Sequence, residues 1–163
     1  MKDKISKWIK DYALDHNRKA LVVGISGGID SSVVSTLCAM TGLQTYAVSI
    51  PINQIESQHD LSMDHGSWLE ENFKNVTHHN IDLDRLYERF YLDMMFDFNN
   101  DMAFANSKSR LRMVTLHQIS GSKKGIVVGT GNKVEDFGVG FYTKYGDGGV
   151  DISPIADLYK TEV

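Results

Sequence analysis

Residues 24–31 read Gly-Ile-Ser-Gly-Gly-Ile-Asp-Ser and follow directly on the apolar run Ala20-Leu21-Val22-Val23. A strand that runs through small residues into a helix start exposes backbone N–H groups. Those groups and the helix N-terminus together favour an anion. Gly24, Ile25, Ser26, Gly27, Gly28, Ile29, Asp30 and Ser31 are therefore candidates for a phosphate-binding loop. The segment lacks the Gly-Lys-Ser/Thr ending of a Walker sequence. It ends instead on a carboxylate, Asp30, which the dipole of a helix start favours. Such a carboxylate can also hold a hard cation against phosphate oxygens.

A loop of this kind needs a rigid strand behind it and a helix in front, and the chain supplies both repeatedly. Ile5, Trp8, Ile9, Tyr12 and Ala13 recur at helical spacing. A strand over 20–25, a helix over 31–41 ended by Gly42 and a strand over 44–50 follow. Next come a helix over 56–73, with Leu61, Trp68, Leu69 and Phe73 as core contacts, and a strand over 76–81. Asp82 is placed to cap a helix that shows Leu83, Leu86, Tyr87, Phe90 and Met94 on one face. A further helix is expected over 102–119, with Gly121 just beyond it, and a buried strand over 126–129. Strands alternating with helices predict an α/β fold, a doubly wound parallel sheet with helices on both faces. Ligands in such sheets bind beyond the carboxyl ends of the strands, where the strand order reverses. The loop after the first strand and the Gly129-Thr130 turn after the fourth are expected to meet there.

Residues 129–149 are rich in glycine and carry Lys, Asp, Glu and aromatic side chains. A loop of that length without an element of its own points to function, and Phe137, Phe141, Tyr142 and Tyr145 argue against disorder. The whole chain has 163 residues, 42% hydrophobic and 23% charged, a balance that suits one globular domain. A formal net charge of −4 argues against a nucleic-acid partner. No stretch approaches the roughly 20 apolar residues of a membrane span. The start, Met1-Lys2-Asp3-Lys4-Ile5, lacks the apolar core of a signal peptide. Cys38 is the one cysteine, which excludes a disulfide framework and a multi-cysteine zinc site. A reduced, cytoplasmic protein is the expectation. His78 and His79 point to opposite faces of a strand and are poor joint metal ligands. Cys38, Phe104 and Tyr142 are expected to pack in the core.

Three further stretches carry a resemblance. They are Asn106-Ser-Lys-Ser-Arg110-Leu-Arg112-Met113, Val128-Gly-Thr-Gly-Asn-Lys-Val-Glu135, and Gly140-Phe-Tyr-Thr-Lys-Tyr-Gly-Asp-Gly-Gly-Val-Asp151 leading into Ser153-Pro-Ile-Ala-Asp-Leu-Tyr-Lys160. With the glycine loop they resemble the NAD synthetases, a branch of the ATP pyrophosphatases whose Rossmann-like fold is that of the adenine-nucleotide alpha-hydrolases. The resemblance implies a ligase. ATP adenylates the nicotinate carboxylate of deamido-NAD, and ammonia then displaces AMP to give NAD. It implies that residues 24–31, Thr130 and Lys160 bind ATP, with Asp30 and Lys160 catalytic. It further implies that Asp30 and Glu135 bind Mg²⁺, and that Arg110, Lys144 and Asp151 bind deamido-NAD. The absence of room for a glutaminase domain points to the ammonia-dependent branch, and the family pattern implies a homodimer. Family members continue past the position of Val163, so a missing C-terminal part is expected. Arg110 and Arg112 lie two apart on a helix, so only one can face a given ligand; family likeness selects Arg110. Two alternatives stand beside this reading. One is another amide-forming or thiolating ATP pyrophosphatase, the thiolating kind being disfavoured by the lone cysteine. The other is a nucleotide-binding module without catalysis.

Overall fold

The computed structural model describes residues 1–163. Its elements are α1 (Lys2–Asp15), β1 (Ala20–Ile25), α2 (Ile29–Met40), β2 (Gln44–Ser49), α3 (Glu56–Asn72), β3 (Val76–Asn80), α4 (Asp84–Met94), α5 (Asp101–Lys123) and β4 (Gly125–Val127). The sheet order is β3-β2-β1-β4, and every neighbouring pair is parallel. The order reverses beside β1, so its carboxyl end and that of β4 open onto one crevice, as the alternation predicted.

Side-chain alternation along the strands sorts the core into two layers. Leu21 and Val23 of β1 join Ile126 and Val128 against Ile9 and Ala13 of α1 and Val34, Leu37 and Cys38 of α2. Ile25 and Ala47 pack with Leu69 of α3 on the same side. On the other face Val22, Val48 and Val127 meet Met113 and Leu116 of α5. Each fully buried aliphatic side chain contributes about 1.5–3 kcal/mol relative to exposure, so both layers are needed to fix the sheet. No helix is long and apolar enough to cross a membrane.

Several local expectations change. α2 begins at Ile29, which brings Asp30 into its first turn. The cap predicted at Asp82 is not formed: α4 starts at Asp84, and the Asp82 carboxylate accepts the Asp84 N–H at 2.8 Å. Gly121 does not end α5, which continues to Lys123 and closes on Lys124 in the left-handed region at φ 53. Glycine disfavours a helix interior by only about 1 kcal/mol, and packing of Ile119 and the buried Ser120 outweighs it. Residues 129–149 include an element after all, a π-helical turn over Val134–Val139. Leu61 and Trp68 are exposed rather than in the core, because α3 faces the sheet with Ser62, Gly66 and Leu69. Gly66 sets that phase: a Cβ there would overlap the His78 ring. Tyr142 is also exposed, whereas Phe104 and Cys38 are buried as expected.

His78 and His79 part as strand geometry requires. His78 meets the Ser49 hydroxyl at 2.9 Å, and His79 stacks on Tyr46. His65 of α3 meets the Ser35 hydroxyl at 2.8 Å. Burial, chiefly, pushes the pKa of both His65 and His78 below the ordinary 6.5. The unfolded chain therefore takes up these protons first. The stability tied to the neutral rings is complete above about pH 6.5 and lost as pH falls through the lowered folded values. Thermal melts from pH 7 to pH 5 are expected to show a falling Tm, with a shallower fall in the His65→Asn, His78→Asn double variant.

Candidate active site

The glycine loop is held by its own serines. Ser31 donates to Gly28 O at 2.8 Å, and its oxygen accepts the Ser26 N–H at 3.2 Å. The Ser26 hydroxyl accepts the Gly28 N–H at 3.3 Å. Gly27 sits at φ +86, and a Cβ there would lie 2.5 Å from Gln58 O of α3. Only glycine satisfies both the left-handed backbone and the close approach. Gly28 then caps α2 in an extended conformation, and the first-turn N–H groups have no partner within the helix. Gly27→Ala is expected to weaken ATP-analogue binding by on the order of tenfold or more, measured by titration calorimetry.

A cleft of about 360 Å³ opens beside this loop, at the carboxyl ends of the strands. Gly24, Ile25, Ser26, Gly129 and Thr130 line it, with Val48 and Ile50 from the end of β2. The loop after β1 and the turn after β4 therefore share one crevice, as the topology predicted. Gly24 leaves space here, its missing Cβ lying 3.4 Å from Leu116 of α5.

At the mouth of α2 the sequence-distant Asp30, Glu135 and Lys160 come together. The Lys160 ammonium donates to Asp30 Oδ2 and, at 3.2 Å, to Glu135 Oε1. Its hydrogen bond to Asp30 is the main reason its pKa is raised above the ordinary 10.5. The fully buried Asn132 ties Asp30 to the backbone of the turn that carries Glu135. Its amide donates to Asp30 Oδ1 at 3.3 Å, and its carbonyl oxygen accepts the N–H groups of Val134 and Glu135. Local sequence does not single out Asn132; its place in Gly-Thr-Gly-Asn, just past a strand end, is the available signal. Asp136 packs over Gly131, where a Cβ would overlap its carboxylate. Its pKa is pushed up by burial first and then by Asp147 and Glu135.

The remaining predicted residues lie apart from this triangle. Arg110 is exposed and donates to Lys144 O at 3.1 Å, and the Lys144 ammonium lies over the Tyr145 ring. Arg112, not Arg110, lines the cleft, where it donates to Ile50 O at 2.9 Å and burial lowers its pKa. Asp151 closes the end of β4, its carboxylate accepting the Val127 N–H at 2.7 Å. Gln54, Gln58, Ser109 and Asp147 also line the cleft and were not singled out from the sequence.

The model of the NAD synthase family matches residues 1–163. The chain belongs to the NAD synthase family. It is 38% identical over 158 residues to the NH(3)-dependent NAD(+) synthetase of Mycoplasmopsis pulmonis, covering 96% of this chain and 59% of that protein. Among solved structures, the NMN synthetase of Francisella tularensis superposes with a TM-score of 0.89 at 32% identity, covering 99% of this chain and 65% of that one. The NH3-dependent NAD synthetase of Campylobacter jejuni, solved with a nitrate ion, gives 0.87 at 28% identity, covering 99% and 68%. The chain spans 57% of the Staphylothermus marinus NAD synthetase and 55% of that of Sulfolobus acidocaldarius.

Proposed function

We propose that this chain carries out the ATP-dependent amidation of deamido-NAD with ammonia, the final step of NAD formation. The observation that supports it most strongly is the convergence of Asp30, Glu135 and Lys160 on the phosphate-type loop at the sheet's switch point. A carboxylate that attacks a phosphate needs neutralised charge and a stabilised leaving group. In this reading residues 24–31 and Thr130 hold the ATP phosphates, and Lys160 leaves its two acids to neutralise the departing pyrophosphate. An oxygen of the nicotinate carboxylate attacks the α-phosphorus as the bond to the pyrophosphate oxygen breaks. Ammonia then adds to the acyl carbon and loses a proton, and AMP departs with the former carboxylate oxygen.

Asp30 and Glu135 suit Mg²⁺. Both reach a single cationic centre, now the Lys160 ammonium, and no third carboxylate, histidine or cysteine completes a protein-only metal cage. Mg²⁺ takes one or two carboxylates and completes its shell with water and phosphate. When bound, it would supply charge neutralisation on the phosphates. Arg110, Lys144 and Asp151 are assigned to deamido-NAD, whose pyrophosphate and carboxylate call for cations. The exposed apolar residues Leu92, Phe96, Phe98 and Met102, at the α4–α5 junction, support a homodimer. A cytoplasmic location completes the proposal.

The Francisella NMN synthetase favours one second reading, amidation of the mononucleotide instead of the dinucleotide. The chemistry at the nicotinate carboxyl is the same in both. Incubation with Mg-ATP and ammonium, offering each acceptor in turn, separates them. NAD with equimolar AMP and pyrophosphate supports the dinucleotide, and NMN formation the mononucleotide. AMP release with xanthosine monophosphate, the acceptor of a GMP synthetase-like amide-forming ATP pyrophosphatase, would overturn both.

A further inference from the structure

One stripe of α5 is committed to a single loop. Asn106, Ser109, Arg110, Met113 and His117 recur at spacings of three and four, which places them on one helix face. All of them meet residues 143–149. The Thr143 hydroxyl donates to Asn106 Oδ1 at 2.8 Å. Ser109 and Asp147 exchange two bonds: the serine hydroxyl donates to Asp147 Oδ1 at 2.9 Å, and its oxygen accepts the Asp147 N–H at 2.9 Å. Arg110 donates to Lys144 O, Met113 packs under Gly149, and His117 Nε2 donates to Gly149 O at 2.8 Å. Within the loop, Asp147 Oδ1 also accepts the Thr143 N–H at 2.8 Å. Gly146 is bare where Ser109 approaches, since any Cβ there would collide with it.

The far end of the loop is fixed differently. Val150 packs against Gly129, and Ile152 bridges to Val128 beyond β4. Residues 143–149 thus connect a helix face to the strand end that carries Thr130. Five of the contacts between helix and loop are side-chain hydrogen bonds at half-exposed or exposed positions. Such bonds contribute little to global stability but decide where a glycine-rich segment sits.

We propose that this face of α5 is a clasp that positions the 143–149 loop, with Lys144, for the dinucleotide substrate, and that Asn106 and His117 are its outer positioning residues. Neither side chain lines the cleft, so each acts through the loop alone. The inference rests on the assignment of Lys144 to deamido-NAD given above.

The test is the Asn106→Ala, His117→Ala double variant. Amide hydrogen exchange within 143–149 is expected to rise by on the order of tenfold, with β1 and β2 unchanged. The Kd for deamido-NAD is expected to weaken about tenfold, while that for a non-hydrolysable Mg-ATP analogue stays within about twofold. Thr143→Val, which removes one clasp bond from the loop side, is expected to give a smaller change in the same direction. Faster loop exchange with an unchanged deamido-NAD Kd would overturn the clasp and leave the substrate assignment standing. An equal loss of both affinities would show a merely structural role and overturn it too. Wild-type chain that binds the ATP analogue but no deamido-NAD would overturn the substrate assignment and the clasp with it.

Discussion

Asp30→Ala is expected to lower AMP-forming turnover by about 10²-fold or more. Asp30 lies in the first turn of α2, 14% exposed at its side chain, with one oxygen on Asn132 and the other on Lys160. Its removal takes away half of the two-carboxylate cation site and leaves Lys160 with Glu135 alone. Asp30→Asn keeps the shape and removes the charge, so it is expected to fold normally and lose nearly as much activity. Mn²⁺ titration in the presence of an ATP analogue should show weakened metal binding in both variants. Near-normal pyrophosphate release in Asp30→Ala would remove this residue from the mechanism.

Lys160→Met carries the second large effect, a fall in turnover of about 10²-fold with weaker ATP-analogue binding. The ammonium is the one cation seen touching both acids. The hydrogen bond to Asp30 holds its pKa above the ordinary 10.5, so in this arrangement the ammonium is charged near pH 7. The same substitution leaves Asp30 and Glu135 facing each other without a counter-charge. Divalent metal affinity without nucleotide is therefore expected to rise, while catalysis falls. Opposite movement of the two readouts separates loss of phosphate contact from general damage to the loop. A fall in both would mark Lys160 as structural. Lys160→Arg restores charge but spreads it over a planar, bulkier group, and partial recovery is the expected outcome.

The fold was readable because β1 and β4 are short apolar runs bounded by turn residues, with helical patterns between the strands. Leu21, Val22 and Val23 announce β1, and the loop behind them is contiguous in sequence. The site was readable only in part. Asp30 stood out locally, but nothing local joins it to Glu135 and Lys160, which depend on how the 129–160 segment folds back. Family likeness named those two residues; their shared hydrogen bonds with Asp30 appear only in three dimensions. Spacing separated Arg110 from Arg112 without saying which faces the cleft, because the phase of α5 is fixed by Met113 and Leu116 against the sheet. Leu61 and Trp68 misled because α3 turns its smallest residues inward, where Gly66 admits the His78 ring. Asn132 has no periodic signature, because a buried amide that ties Asp30 to the backbone of residues 134–135 is fixed only by the folded loop.

Adenylation of the nicotinate carboxylate before attack by ammonia leaves an isotopic signature in AMP. The chain would be given Mg-ATP, ammonium and deamido-NAD with its nicotinate carboxylate labelled by ¹⁸O, and AMP would be analysed by mass spectrometry. One ¹⁸O is expected in each AMP formed, alongside NAD, because AMP departs with the former carboxylate oxygen. Unlabelled AMP, or ADP in place of AMP, would contradict it.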